Sequence, residues 1–248
     1  MKINRVVIIF IMLVIVSCNK DSSSDCFKKN GNESRELRLL GAFKSILVNQ
    51  NINVHLYQGN EFKVEVIGPH NLIPKIKTTI HDTTLVIEND NRCNFVRGYK
   101  RKIQVFITVP KISYCEHNSV GTFVIDQSFS QEILSVRCGN SGDMYVNGNY
   151  NKILASSHGN GNVILNGECD DFAVYSNGEN FIYAENLIVK GYAFVGTNSL
   201  GDVYVNGSNL KQLDCAIHSK GNVYYTGNPL VNNTTTDIIG SGKIIHKN

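Results

Sequence analysis

From Gly121 to the C-terminus the chain restates one short pattern about every twenty residues, and this period constrains the fold more than any other feature. The pattern is a glycine, usually followed by aspartate, asparagine or threonine, then two hydrophobic residues separated by one position. Copies begin at Gly121, Gly142, Gly161, Gly201, Gly221 and Gly242, at steps of 21, 19, 40, 20 and 21 residues. The doubled step holds a degenerate copy, read as Glu179-Asn180-Phe181, that has lost its glycine. A fixed period of this length marks a solenoid, in which each short repeat is stabilised by stacking on its neighbours. Such a fold offers long faces rather than a ready-made pocket.

Registered on the glycine, three columns are apolar or small. Two residues after it lie Phe123, Met144, Val163, Phe181, Val203, Val223 and Ile244. Four after it lie Ile125, Val146, Leu165, Tyr183, Val205 and Tyr225. Six before it lie Cys115, Val136, Ala155, Ala173, Val195 and Cys215. Successive strand residues point to opposite sides, so each column is predicted to pile up inside the coil. The column three after the glycine then faces out. It reads Tyr145, Ile164, Ile182, Tyr204 and Tyr224, a partly apolar strip and the candidate binding face. The bland alternative is β-propensity on a solvated face. Asn-Gly at 147–148, 166–167 and 206–207 marks a corner, where asparagine and glycine tolerate positive φ. Antiparallel hairpins would also use Asn-Gly, but a constant period favours a parallel β-helix.

Residues 35–110 read as β without the repeat. Strands are predicted at Phe43–Val48, Ile52–Leu56, Phe62–Val66, Ile76–Ile80, Leu85–Ile87 and Ile103–Val109. Tyr57–Asn60 reads as a hairpin-type link and His81–Thr84 as a turn. No stretch has convincing helical amphipathicity.

The N-terminus reads as targeting. Lys2 and Arg5 precede an apolar run from Val6 to Val16, too short for a membrane span of roughly 20 residues. The run ends Ile15-Val16-Ser17-Cys18, which resembles a bacterial lipobox, and predicts cleavage after residue 17 and lipidation of Cys18. Each buried acyl methylene contributes ~0.8 kcal/mol, so several chains anchor a body firmly to a membrane. The organisation expected is a signal peptide over 1–17, a lipidated polar tether over 18–34 and one β domain over 35–248. That domain divides into a β region at 35–110 and β-helical repeats at 111–248. The start of the tether, Asn19-Lys20-Asp21, partly matches a surface-export signal of Bacteroidetes lipoproteins. The location expected is the outer membrane, with the body lipid-anchored and a candidate for surface display.

Without the leader, 22 basic residues face 21 acidic ones. That near-balance argues against nucleic-acid binding, which calls for a strong basic excess. One local exception is the run of Arg92, Arg97, Lys100, Arg101 and Lys102. Arg97, Lys100, Arg101 and Lys102 form a candidate patch for an anionic ligand such as lipopolysaccharide, against the plainer reading of a solvated loop.

Of the 7 cysteines, lipid takes Cys18. Cys26, at the end of the tether, and Cys93, in a polar loop, are predicted to form a disulfide in the oxidising envelope. Cys115 and Cys215 share an inward column five rungs apart, roughly 24 Å at the strand spacing, and cannot bridge. The pairing of Cys138 and Cys169 stays open.

Several ordered motifs resemble the opening of the head GIN domain family. They include Arg35-Glu36-Leu37, Asn51-Ile52-Asn53-Val54, Gln58-Gly59, Asn71-Leu72-Ile73-Pro74, Cys93-Asn94-Phe95-Val96-Arg97 and the alternating Ile103 to Pro110. The resemblance extends over about residues 35–248. It implies an adhesin-type lipoprotein with a right-handed parallel β-helical body, and it brings no catalytic residues. The family's Gly-Ser-Gly rung opening stands here only at Gly240-Ser241-Gly242.

An enzyme on such a body would need converging carboxylates. Asp143 and Asp202 share a column three rungs apart, roughly 14 Å. His158 and His218 are equally separated, too far to share a metal. No phosphate-binding loop, HExxH or paired CxxC occurs, so neither catalytic residues, a metal site nor a cofactor is expected. Three functions remain: a lipid-anchored adhesin-like module binding glycans or proteins through a solenoid face, a structural lipoprotein that self-assembles, and a carbohydrate-active enzyme. A cleft with three or more acids would favour the last.

Overall fold

The computed structural model describes residues 31–91 and 102–247. Their strands join a single 19-stranded sheet, with one 3-10 turn at Ile73–Lys75. In chain order the first strands are β1 (Glu33–Leu39), β2 (Ser45–Gln50), β3 (Asn53–Gln58), β4 (Lys63–Pro69), β5 (Ile76–His81) and β6 (Thr84–Asn89). Then come β7 (Gln104–Val109), β8 (Tyr114–Ser119), β9 (Phe123–Ile125), β10 (Ser130–Cys138), β11 (Met144–Ser157) and β12 (Val163–Gly178). The last are β13 (Ile182–Val189), β14 (Tyr192–Ser199), β15 (Val203–Asn206), β16 (Gln212–Ile217), β17 (Val223–Thr226), β18 (Val231–Ile238) and β19 (Ile244–His246).

The repeats coil into a parallel β-solenoid of about 6 turns. One face stacks β8, β10, the second halves of β11 and β12, β14, β16 and β18. A second stacks β9, the first halves of β11 and β12, β13, β15, β17 and β19. Long strands such as β11 and β12 bend at Gly148 (φ 125°) and Gly167 (φ 116°), the corner glycines of Asn-Gly. Val146 pairs with Leu165 and Val205 with Tyr225, as the columns require.

The repeat glycines serve close approach rather than unusual φ. A Cβ on Gly142 would lie 1.8 Å from the carbonyl oxygen of Gly121, and one on Gly161 would lie 2.2 Å from that of Gly142. The residue after the glycine ties adjacent rungs together. Asp143 Oδ1 accepts from the backbone N–H (2.9 Å) and side-chain amide (3.1 Å) of Asn162, and Asn162 Oδ1 accepts from Phe181 N–H at 2.9 Å. Asp202 does the same for Asn222.

The degenerate rung sits one residue later than the sequence pattern predicts. Val163 pairs with Ile182 and Ile182 with Val203, while Ala155 pairs with Val174 and Val174 with Val195. Ile182, Ala184 and Val174 therefore point inward, whereas Phe181, Tyr183 and Ala173 do not. Asn180, not Glu179, holds the glycine's place. It is fully buried, and its amide donates to the carbonyls of Gly159 (2.8 Å) and Asn177 (2.9 Å) while its oxygen accepts from Ser176 at 2.6 Å. A one-residue slip turns every side chain of a strand to the other face, and burial of Ile182 and Ala184 decides the register.

The N-terminal strands extend the same stack in a scrambled order. β2 and β3 pair in parallel with β8 and β9, and β6 and β7 pair on their far side. Antiparallel strands close that end, with β4 between β1 and β7, and β5 on β6. The expected hairpin through Tyr57–Asn60 does not form, because β7 is inserted between β3 and β4. Val105 and Ile107 of β7 continue the buried columns of Val54 and Leu56, so inserting the parallel strand lengthens the core. The turn at 82–83 is a tight hairpin, with Asp82 at φ 54°.

At the corner ahead of the repeat glycine, buried side chains satisfy the backbone. His117 Nε2 donates to Gly121 O at 2.9 Å, Cys138 Sγ to Gly142 O at 3.2 Å and Ser157 Oγ to Gly161 O at 3.0 Å. His117 is fully buried and its Nδ1 has no hydrogen-bond partner. Burial pushes its pKa below the ordinary 6.5, partly opposed by the bond to Gly121 and by Asp143. A histidine whose folded pKa is depressed stabilises fully above its unfolded value and loses that contribution as pH falls through the folded one. Melting temperature is therefore expected to drop as pH falls below about 6.5. His117→Gln, which can still donate to Gly121 O, should flatten that dependence. An unchanged slope in the variant would assign the acid sensitivity elsewhere.

Candidate binding face

The outward side of the second solenoid face carries one uninterrupted file of side chains. It begins at Phe106 of β7, which pairs with His55, then Val124, Tyr145 and Ile164. It continues through Tyr183, Tyr204 and Tyr224 to Ile245 of β19. All nine are half-buried, and the seven between Phe106 and Ile245 are covered on two sides by their neighbours in the file. Four of the five predicted members, Tyr145, Ile164, Tyr204 and Tyr224, stand in it. Ile182 does not; it is buried in the core, and Tyr183 takes its rung.

The rings stack along the solenoid axis. Tyr183 and Tyr204 lie 5.4 Å apart at an interplanar angle of 6°, and Tyr204 and Tyr224 lie 5.1 Å apart at 10°. His55 stacks on Phe106 at 4.9 Å and 12°. Burial lowers the His55 pKa and raises that of Tyr204, the latter with help from Asp202. Lys247 Nζ straddles the last tyrosine pair, 4.6 Å from both centroids. The faces that Tyr183, Tyr204 and Tyr224 turn along the file are thus occupied by one another, whereas Tyr145 lies between Val124 and Ile164.

Asp143, Asn162, Asp202 and Asn222 border this ridge on one side with their inter-rung hydrogen bonds. Asn147 and Asn166 border it on the other, linked by a bond of 2.8 Å. Sequence reading missed Phe106 and His55. The alternation around each was visible, but the rungs that place them in the file are assembled from segments far apart in the chain.

A cleft lies at another corner of the coil. This cleft of about 370 Å³ is lined by Glu132, Glu168 and Asp170 together with Lys111 and Lys190. It meets the three-acid criterion for weighing an enzyme. Glu168 is engaged by Lys190 at 2.5 Å, and the described residues hold no group of three or more His, Cys, Asp or Glu able to bind a metal. Asp143 and Asp202 lie three rungs apart, separated by Asn162 and Phe181, and His158 and His218 are also three rungs apart.

Cys115, Cys138 and Cys169 are free, buried thiols. Burial raises Cys138 to about 11 and Cys169 to about 12, which suits small core side chains better than nucleophiles. Cys18, Cys26, Cys93, Arg97, Lys100 and Arg101 lie outside the described residues, so of the basic patch only Lys102, which is exposed, is seen. No helix among the described residues is long and apolar enough to cross a membrane.

The family model described as "Putative auto-transporter adhesin, head GIN domain" matches residues 42–229. A putative adhesin from Bacteroides fragilis superposes with a TM-score of 0.77 at 23% identity, covering 87% of this chain and 97% of its own. A putative adhesin from Parabacteroides distasonis gives 0.64 at 19%, covering 88% and 98%. A protein of that organism described as a putative lipid binding protein gives 0.64 at 16%, covering 89% and 98%. At these identities the likeness is one of fold. No curated protein matches the chain.

Proposed function

Since this chain belongs to the head GIN domain family, we propose that it is a non-enzymatic adhesin anchored to the outer membrane by lipid at Cys18. It meets its partner through the file from Phe106 to Ile245. The observation that carries this reading is the unbroken half-exposed ridge, which no other strand of the described chain covers. The ring stacking favours a protein partner over a glycan. A sugar packs against an open aromatic face, and here those faces are turned to one another at 5.1–5.4 Å.

The test compares cells carrying wild-type protein, the Tyr183→Ser/Tyr204→Ser/Tyr224→Ser variant and Cys18→Ser. The triple variant should remain folded, since all three side chains point outward, yet lose cell adhesion down to the level of cells without the protein. Cys18→Ser should leave the membrane fraction or retain its leader. Undiminished adhesion by a folded triple variant would move the contact elsewhere, with the segment ending at Lys102 next. The acid-lined cleft keeps an enzyme as the second reading. Cleavage of any polysaccharide by the purified protein, abolished by Glu168→Gln, would replace adhesion with catalysis.

A further inference from the structure

We propose that the partner of this face is a second copy of the same chain, packed ridge to ridge with the two solenoids antiparallel. The inference rests on the reading of the ridge as a contact surface and names its occupant.

Size is the first argument. Nine rungs at ~4.8 Å give a length of roughly 40 Å, and three outward columns with their side chains give a width of roughly 15–20 Å. The product, roughly 600–800 Å² per copy, approaches the ~800 Å² per partner of a standard protein interface. A facing sheet of the same fold also repeats at ~4.8 Å, so rungs on one copy stay in step with rungs on the other along the whole ridge.

Charge sets the direction. Lys243 and Lys247 flank Ile245 at one end of this face, while Lys63 of β4 and Arg35, which is ion-paired with Glu65 at 3.4 Å, carry positive charge at the other. At the other end Glu65 follows Phe106 in the same file. Two copies packed in parallel would bring Lys243 of each against Lys247 of the other. Antiparallel packing keeps Lys243 and Lys247 of the two copies apart and sets each pair against a mixed end that holds Glu65 together with Arg35 and Lys63. Across a closed pair of this kind the like-charge contact of Lys243 with Lys247 is the costly one.

Shape agrees with the same operator. A two-fold axis at Ile164, the middle of the nine, sets Val124 against Tyr204 and His55 against Tyr224, a smaller side chain opposite a larger one, and brings Tyr145 against Tyr183, two rings beside the axis. The interface is isologous and closes as a dimer. It carries the two β1 strands at opposite ends of the pair.

The experiment uses the full lipidated chain in detergent and three cysteine substitutions on the ridge. Facing sheets lie ~10 Å apart, within reach of a short bis-maleimide. Ile164→Cys should cross-link to itself, since it sits on the axis. Phe106→Cys and Ile245→Cys should each give no dimer alone and a cross-linked dimer when mixed, read against the wild-type background. Wild type should sediment at twice the monomer mass in the micromolar range, and the triple serine variant as monomer. Self-cross-linking of Phe106→Cys alone would overturn the antiparallel arrangement. Monomeric wild type with no cross-link would reject the second copy as partner. The adhesion assay separates that result from failure of the face itself: if the triple serine variant still loses adhesion, the ridge stands as a contact surface for a different protein.

Discussion

Val163→Asp is expected to leave the protein unfolded or melting far below wild type. Val163 is fully buried between Met144 above and Ile182 below, in a file that is apolar on every rung. A carboxylate there has no partner, so the variant must bury a charge or protonate it, and it also loses the burial of the valine. The cost expected is at least about 4 kcal/mol, the range reserved for unpaired buried charge and severe core defects. For a chain of this length that corresponds to a fall of roughly 10–15 °C in melting temperature. Circular dichroism during heating measures it directly. A melting point within a degree or two of wild type would contradict the inward assignment of this column.

Gly161→Ala is expected to be nearly as damaging, although it adds one methyl group. The new Cβ would stand 2.2 Å from the carbonyl oxygen of Gly142 and 2.9 Å from that of Asn140. Both obstacles are backbone of the preceding rung, held by inter-rung hydrogen bonds, and neither can swing aside as a side chain would. Relief requires opening the stack at this corner, which costs about 3 kcal/mol or more. Gly41→Ala is the control, since a Cβ there meets nothing within 4 Å, and it should melt like wild type. If the two variants behaved alike, the glycine column would owe its recurrence to something other than close rung packing.

These expectations show why the repeat was legible. The period, the glycines and the inward columns are written locally, because every rung solves the same stacking problem with the same residue types. Phe123, Met144 and Val163 are read correctly from spacing alone. The position after the glycine was visible as Asp or Asn, but its reason was not. Only in the stack does Asp143 meet the N–H of Asn162.

The error at Ile182 has a definite cause. When the motif glycine is replaced, no residue type marks where the rung begins; Glu179 in its place leaves steps of 18 and 22, whereas Asn180 leaves 19 and 21, the range of the other rungs. Both Phe181 and Ile182 are strong strand residues, so composition does not choose between them. The choice falls to the core, where Ile182 and Ala184 fill the space between the columns of Val163 and Val203 and Asn180 hydrogen-bonds the corner.

The sequence by itself determined that this chain is a stack of β rungs about twenty residues long, with an apolar interior and a partly aromatic outer column. Tertiary structure alone decided the rung order at the N-terminus, the insertion of β7 between β3 and β4, and the extension of the outer file to His55 and Phe106. The physical reason is range. Alternation specifies which way a side chain points within a strand, whereas parallel partners such as His55 and Phe106 are joined by backbone bonds across some fifty residues of intervening chain. That pairing is selected by the burial of Val54, Leu56, Val105 and Ile107 together, a property no single segment carries.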